Sequence, residues 1–180
     1  SADQAATADL VFDTNDGTTS SSLTLDIDND SAALIQTTDV DTLTIQTGDM
    51  ALSLEQLNAG DNDATVNIGG TNDITFTGAV AAGDLTVTGN DTNFAAIDAD
   101  GDLTVTATTN FIATGAIAVD NDVVISADDI DSQTGISTAA SGTADGSVTL
   151  TSTGNDVDLA GATDIDGALT VTAVDSFTQN

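Results

Sequence analysis

The sequence predicts an all-β protein folded as a parallel β-solenoid (β-helix) of about eight coils of roughly 20 residues each. Three observations carry that expectation. The hexapeptide GDLTVT begins at Gly83 and again at Gly101, and each copy is followed by Thr-Asn-Phe, starting at Thr92 and Thr109. Strand-like cores with the same alternation of apolar residues and Thr return along the whole chain. Between them lie turn dipeptides: Asn-Asp alone occurs seven times, at Asn15, Asn29, Asn62, Asn72, Asn90, Asn121 and Asn155. Asn and Asp side chains bond nearby backbone and Asn tolerates positive φ, so these pairs mark corners.

In chain order, residues 1–22 form an N-terminal extension without a clear rung. It contains one candidate strand, ADLVFD from Ala8 to Asp13, suited to docking on a neighbouring subunit as a donor strand. Residues 23–180 form the solenoid domain. Its rungs are SLTLDID from Ser22, TLTIQT from Thr42, ATVNIG from Ala64 and DLTVTG from Asp84. They continue with DLTVTA from Asp102, DVVISA from Asp122, SVTLTS from Ser147 and ALTVTA from Ala168. The first apolar residues are Leu23, Leu43, Val66, Leu85, Leu103, Val123, Val148 and Leu169, at intervals of 20, 23, 19, 18, 20, 25 and 21. The longer intervals predict loops at Glu55–Asp63 and Asp128–Asp145.

A second, weaker apolar set lies between the rungs, including Leu52, Leu54, Ile74, Phe76, Phe94, Ile97, Ile117, Ile136 and Val157. Each coil therefore carries two or three short strands. Thr, Val and Ile dominate, and β-branching favours the pleated surface. Only Met50–Ala59 has helical composition, and its Leu52 and Leu54 also suit a strand. The alternative is a β-sandwich of adhesin or surface-layer type, whose strands recur every 8–12 residues or so. Strands that return in like sequence once per coil favour the solenoid.

Composition narrows function by exclusion. The chain has 30 acidic residues, all Asp but Glu55, and no Lys, Arg or His, for a formal charge of −30. No side chain can neutralise a phosphate, which excludes nucleic acid and anionic membrane surfaces as partners. No apolar run approaches the roughly 18 residues that span a bilayer, so insertion into a membrane is not expected. Lacking His, Cys, Lys, Arg and Tyr, the chain lacks most general acids, bases and nucleophiles. Paired carboxylates could serve a glycosidase, but there is no Trp or Tyr for a sugar platform, so no enzyme is expected. The absence of trypsin sites fits a location outside the cell.

At GDLTVTGND, GDLTVTATTN and GALTVTAVD the chain resembles the filamentous-haemagglutinin-type repeats of bacterial surface adhesins and filaments, over Asp84 to Ala173. The resemblance implies a right-handed parallel β-solenoid, export to the cell surface and an adhesive or spacing role. Those repeats usually contain Lys and Arg, which are absent here, and no functional residue transfers.

Alternating aspartates are the candidate metal ligands: Asp26, Asp28 and Asp30 around Ile27 and Asn29, and Asp98, Asp100 and Asp102 around Ala99 and Gly101. Carboxylates with turn carbonyls are the oxygen ligands Ca²⁺ prefers, and stacked like charges would call for a cation. Calcium is the only cofactor expected. Neither cluster has the spacing of an EF-hand loop. The function expected is that of a structural subunit of an extracellular bacterial or archaeal surface filament, sheath or biofilm matrix fibre. Its partner would be a further copy of itself, joined head-to-tail through open strand edges. The alternative is an adhesin module that binds a polysaccharide or a neighbouring cell surface.

Overall fold

The computed structural model describes residues 11–13, 23–24, 35–36, 42–46, 52–54, 57–59, 63–67, 72–138 and 146–180. Among these there is no helix, and every strand pairing is parallel. The fold is a β-solenoid. A sandwich would need antiparallel pairs, and none occurs among the described residues.

One sheet of eight strands holds the LTVT-type rungs: Val11–Asp13, Thr42–Gln46, Asp63–Asn67, Leu85–Gly89, Leu103–Ala107, Val123–Ala127, Val148–Ser152 and Leu169–Thr172. Its register aligns Leu43, Ala64, Leu85, Leu103, Val123, Val148 and Leu169. The intervals are therefore 21, 21, 18, 20, 25 and 21, and the coils number about six rather than eight. Two expected rungs shift. Ala64, not Val66, stands opposite Leu43; both point inward, and a period of two leaves a slip of two residues undecided by hydrophobicity. Leu23 belongs elsewhere, pairing with Leu52 in the other sheet. The first sheet begins instead with Val11–Asp13, which pairs with Thr44–Gln46 of its own chain. The segment read as an inter-subunit donor thus includes a strand of this chain's own sheet.

The second sheet, of twelve strands, covers two further faces. On one, the register runs Leu23, Leu52, Ile74, Thr92, Phe111, Ile130, Val157, Phe177. On the other it runs Ile35, Leu57, Val80, Ile97, Ile117, Ile136. The long strands Ile74–Ala82 and Thr92–Ala99 cross both, with an irregularity between Phe94 and Ala96 marking the corner. The loops expected at Glu55–Asp63 and Asp128–Asp145 also contain strands, Leu57–Asn58 in the first and Asp129–Ser132 and Ile136–Thr138 in the second.

Alternate residues of each strand fill the interior. Leu85, Val87, Leu103, Val105, Val123 and Ile125 are all within 1% of complete burial. Each such side chain contributes roughly 1.5–3 kcal/mol relative to exposure. Phe76 and Phe94 stack at 4.9 Å between centroids, and Phe111 follows at 5.7 Å. Rings of consecutive coils thereby share one stack, at spacings that favour offset packing. Ser132 sits in the same interior, paired in register with Ala113 and Leu159. Its hydroxyl is fully buried and has no hydrogen-bond partner among the described residues.

Candidate functional site

The corner that precedes each LTVT-type rung is built from aspartate. Asp63, Asp84, Asp102 and Asp122 stand directly before the first inward residue of consecutive rungs. The Oδ1 of Asp63 accepts the backbone N–H of Asp84 at 3.1 Å, and that of Asp84 accepts the N–H of Asp102 at 2.8 Å. Asp102 does the same for Asp122 at 3.1 Å, and Asp122 for Ser147 at 2.8 Å. Four like charges are thus stacked in one column, each holding the amide of the coil that follows. Hydrogen bonds to an ionised acceptor are stronger than neutral ones, which offsets part of the mutual repulsion.

This geometry explains the glycine of GDLTVT. A Cβ on Gly101 would lie 2.0 Å from Asp84 Oδ1, so the carboxylate in this position uses the space of the missing side chain. At the next coil Asn121 stands in that place, and the Asp102 bond to Asp122 is longer, 3.1 Å against 2.8 Å. Gly154 stands in the same relation to Asp128, whose Oδ1 would lie 1.7 Å from its Cβ.

A second column occupies the next corner. Asp73 Oδ1 accepts from Asn90 Nδ2 at 2.9 Å and from the N–H of Asp91 at 3.2 Å. Asp91 Oδ1 accepts from Asn110 through its N–H at 3.2 Å and its Nδ2 at 2.9 Å, and from the Thr109 hydroxyl. Further along, Asp156 Oδ1 accepts the N–H and the hydroxyl of Ser176, both at 2.9 Å. The Asn-Asp and Thr-Asn pairs are thus inter-coil clips, a role beyond the local turn chemistry their composition suggests. Asp129, paired in register with Asn110, is held above the usual carboxylate range. Burial is the main cause, followed by the charges of Asp156, Asp158 and Asp131, against an opposing backbone hydrogen bond at Asp156.

Of the expected cation ligands, Asp26, Asp28 and Asp30 lie outside the described residues. Asp98 is exposed and paired in register with Ala81 and Ala118. Asp100 is exposed in the turn, its N–H donating to Ala82 O. Asp102 serves the amide column. Among the described residues, no three acidic side chains form a group that could hold a metal ion.

The coil nearest the C-terminus has an open side. Leu169 is 38% exposed and Phe177 43%, although both continue columns that are fully buried at Val148 and Val157. Val174 is 58% exposed, and Ile165, Val171 and Ala173 are only partly covered. Strands Leu169–Thr172 and Phe177–Gln179 each have one pairing neighbour. Carboxylates clip the coils together around a continuous apolar interior: the class defined is a parallel β-solenoid. Comparison with protein-family models, curated proteins and solved structures finds no match to this chain.

Proposed function

We propose that this chain is a structural subunit of an extracellular bacterial or archaeal surface filament, sheath or matrix fibre, extended by head-to-tail stacking of copies. The observation that carries the reading is the open side of the coil containing Leu169, Val171 and Phe177. Inward columns that end in exposed apolar residues are completed by one more coil of the same kind, a heterologous contact that does not close on itself. Among the described residues, each sheet ends at the other extreme in a strand with one pairing neighbour, Val11–Asp13 and Leu23–Thr24. Continuing the registers would set Phe12 of one copy on Val171 of the next, and Leu23 on Phe177.

Charge supports the same joint. The segment 168–180 carries one acidic side chain, Asp175, in a chain with 30, so the C-terminal side of the joint adds little repulsion. No Pro or Lys is present to block strand addition at either edge. Calcium acts in this reading by neutralising the carboxylate columns along the body, without a dedicated cage. An extracellular setting is supported by the absence of every trypsin site.

Electron microscopy and sedimentation of the purified chain, in low salt and in millimolar Ca²⁺, test the proposal. Rods of constant width that lengthen with concentration are expected. Leu169→Asp with Phe177→Asp should leave single, folded subunits. A wild-type chain that stays monomeric at all concentrations, with and without Ca²⁺, would overturn the reading.

A further inference from the structure

The outward side of the LTVT-type sheet carries a grid of hydroxyls and methyls bordered by acids. Asp63 stands exposed at the start of its strand, and Asp13 lies in register with Gln46, the neighbour of Asn67. Its first column runs Thr65, Thr86, Thr104, Val124, Thr149, Thr170. Its second runs Asn67, Thr88, Thr106, Ser126, Thr151, Thr172. Nine of these twelve positions are Thr and none is acidic, in a chain with 30 acids and no cation. The aspartates crowd the corners on either side, at Asp84 and Asp102 before the strands and at Asp91 and Asp128 after them.

The hydroxyls of the grid differ from those at the corners. Corner hydroxyls are engaged: Thr108 donates to Gly89 O, Thr114 to Phe94 O and Ser152 to Asp128 O. Those of Thr86, Thr88, Thr104, Thr106, Thr149 and Thr151 have no protein partner among the described residues. Each retains one donor and two acceptor sites for water. Register is continuous across all six coils of this face, whereas the second sheet carries an irregularity between Phe94 and Ala96. Inward neighbours such as Val87, Val105 and Ile125 are fully buried and hold the strands from beneath.

We propose that this face binds ice. Along the body, equivalent residues repeat at ~4.8 Å, and along each strand outward residues repeat at ~6.7 Å. Both repeats lie close to the two oxygen spacings on a prism face of hexagonal ice. The Thr methyls, with the exposed Val124, restrict the orientation of first-shell water as apolar groups do. The hydroxyls anchor that ordered layer by hydrogen bonds. A carboxylate among them would impose its own hydration shell and break the lattice, and none stands at these twelve positions. The ligand is therefore the ordered surface of water itself, and a head-to-tail filament would lengthen the same grid.

The full chain is partitioned into slowly growing polycrystalline ice, and its effect on ice-crystal shape and freezing point is recorded. Enrichment in the ice fraction with faceted crystals is expected. Thr104→Lys with Thr106→Lys should abolish the enrichment, whereas Thr75→Lys on a neighbouring face should leave it unchanged, each variant melting as a folded protein. Exclusion of the wild-type chain from ice would overturn the proposal. So would equal enrichment of the Thr104/Thr106 variant. Pairing of rods through this face in sedimentation, lost in the same variant and without ice enrichment, would assign the grid to lateral self-association instead.

Discussion

Asp84 Oδ1 accepts the backbone N–H of Asp102 at 2.8 Å, eighteen residues away in sequence and one coil away in space. An aspartate that looks like a solvated turn residue is thereby a bond between layers. Replacing it with Ala removes a charge-assisted acceptor from an exposed site, at a cost of about 1 kcal/mol. Thermal melting should show Asp84→Ala lowered by roughly 2–4 °C. Asp84→Asn keeps an oxygen at that position and removes one charge from the column. It should melt at or above the wild type in low salt, and close to it when salt screens the repulsion.

Gly101 and Asp84 depend on each other. In the wild-type background Gly101→Ala places a Cβ 2.0 Å from the Asp84 oxygen, so the carboxylate must turn aside and its clip to Asp102 is weakened. With Asp84→Ala already present, the nearest remaining atom is the Asp84 backbone nitrogen at 3.2 Å. A double-mutant cycle in urea should be strongly non-additive, with Gly101→Ala far milder in the second background. Additive costs would show that the glycine answers to backbone alone.

Asp129 supplies the pH dependence. Its carboxyl is held above its ordinary value by burial and by the charges of Asp156, Asp158 and Asp131. A raised folded-state value means the folded chain favours the protonated form. The stabilisation from this group is full below the unfolded-state value near 3.8 and is lost as pH rises through the higher folded-state value. Asp129→Asn should therefore melt higher than the wild type at neutral pH, by roughly 1–2 °C, with the gain vanishing under acid conditions. An equal gain at both extremes of pH would refute the electrostatic account.

Ser132 offers a gain from removing a polar atom. Its buried hydroxyl lacks a partner among the described residues, and an unsatisfied buried group costs about 1–3 kcal/mol. Ser132→Ala leaves the neighbouring Ala113 and Leu159 in place. Denaturant unfolding should show stability raised by about 1 kcal/mol, the cavity left by one oxygen offsetting part of the gain.

The sequence made the fold legible because a solenoid writes its period openly. The recurrence from Leu85 to Leu103 to Val123 is the register itself. What it obscured were the places where alternation is ambiguous. Ala64 and Val66 both face inward, so the stronger hydrophobe looks like the rung although the weaker one holds the register. Leu23 looked like its kin at Leu85 but lies on another face, because strand chemistry is shared by all three faces. The aspartate columns were visible as Asp before the rung at Asp84 and Asp102. Their role was not, since a bond to an amide eighteen residues away leaves no local signature. The outward Thr look like strand formers, which they also are.

Neighbouring coils touch only their own neighbours, and the pairing of Ala82 with Ala99 places equivalent points of two coils in line. Excising residues 83–100 would join Ala82 to Gly101 and leave Asp63 facing the amide of Asp102, with the columns above and below intact. A gene for such a chain can gain or lose whole layers by duplication or deletion of one segment. Length becomes a heritable quantity measured in steps of one coil, adjustable with the backbone ladder and the aspartate column preserved.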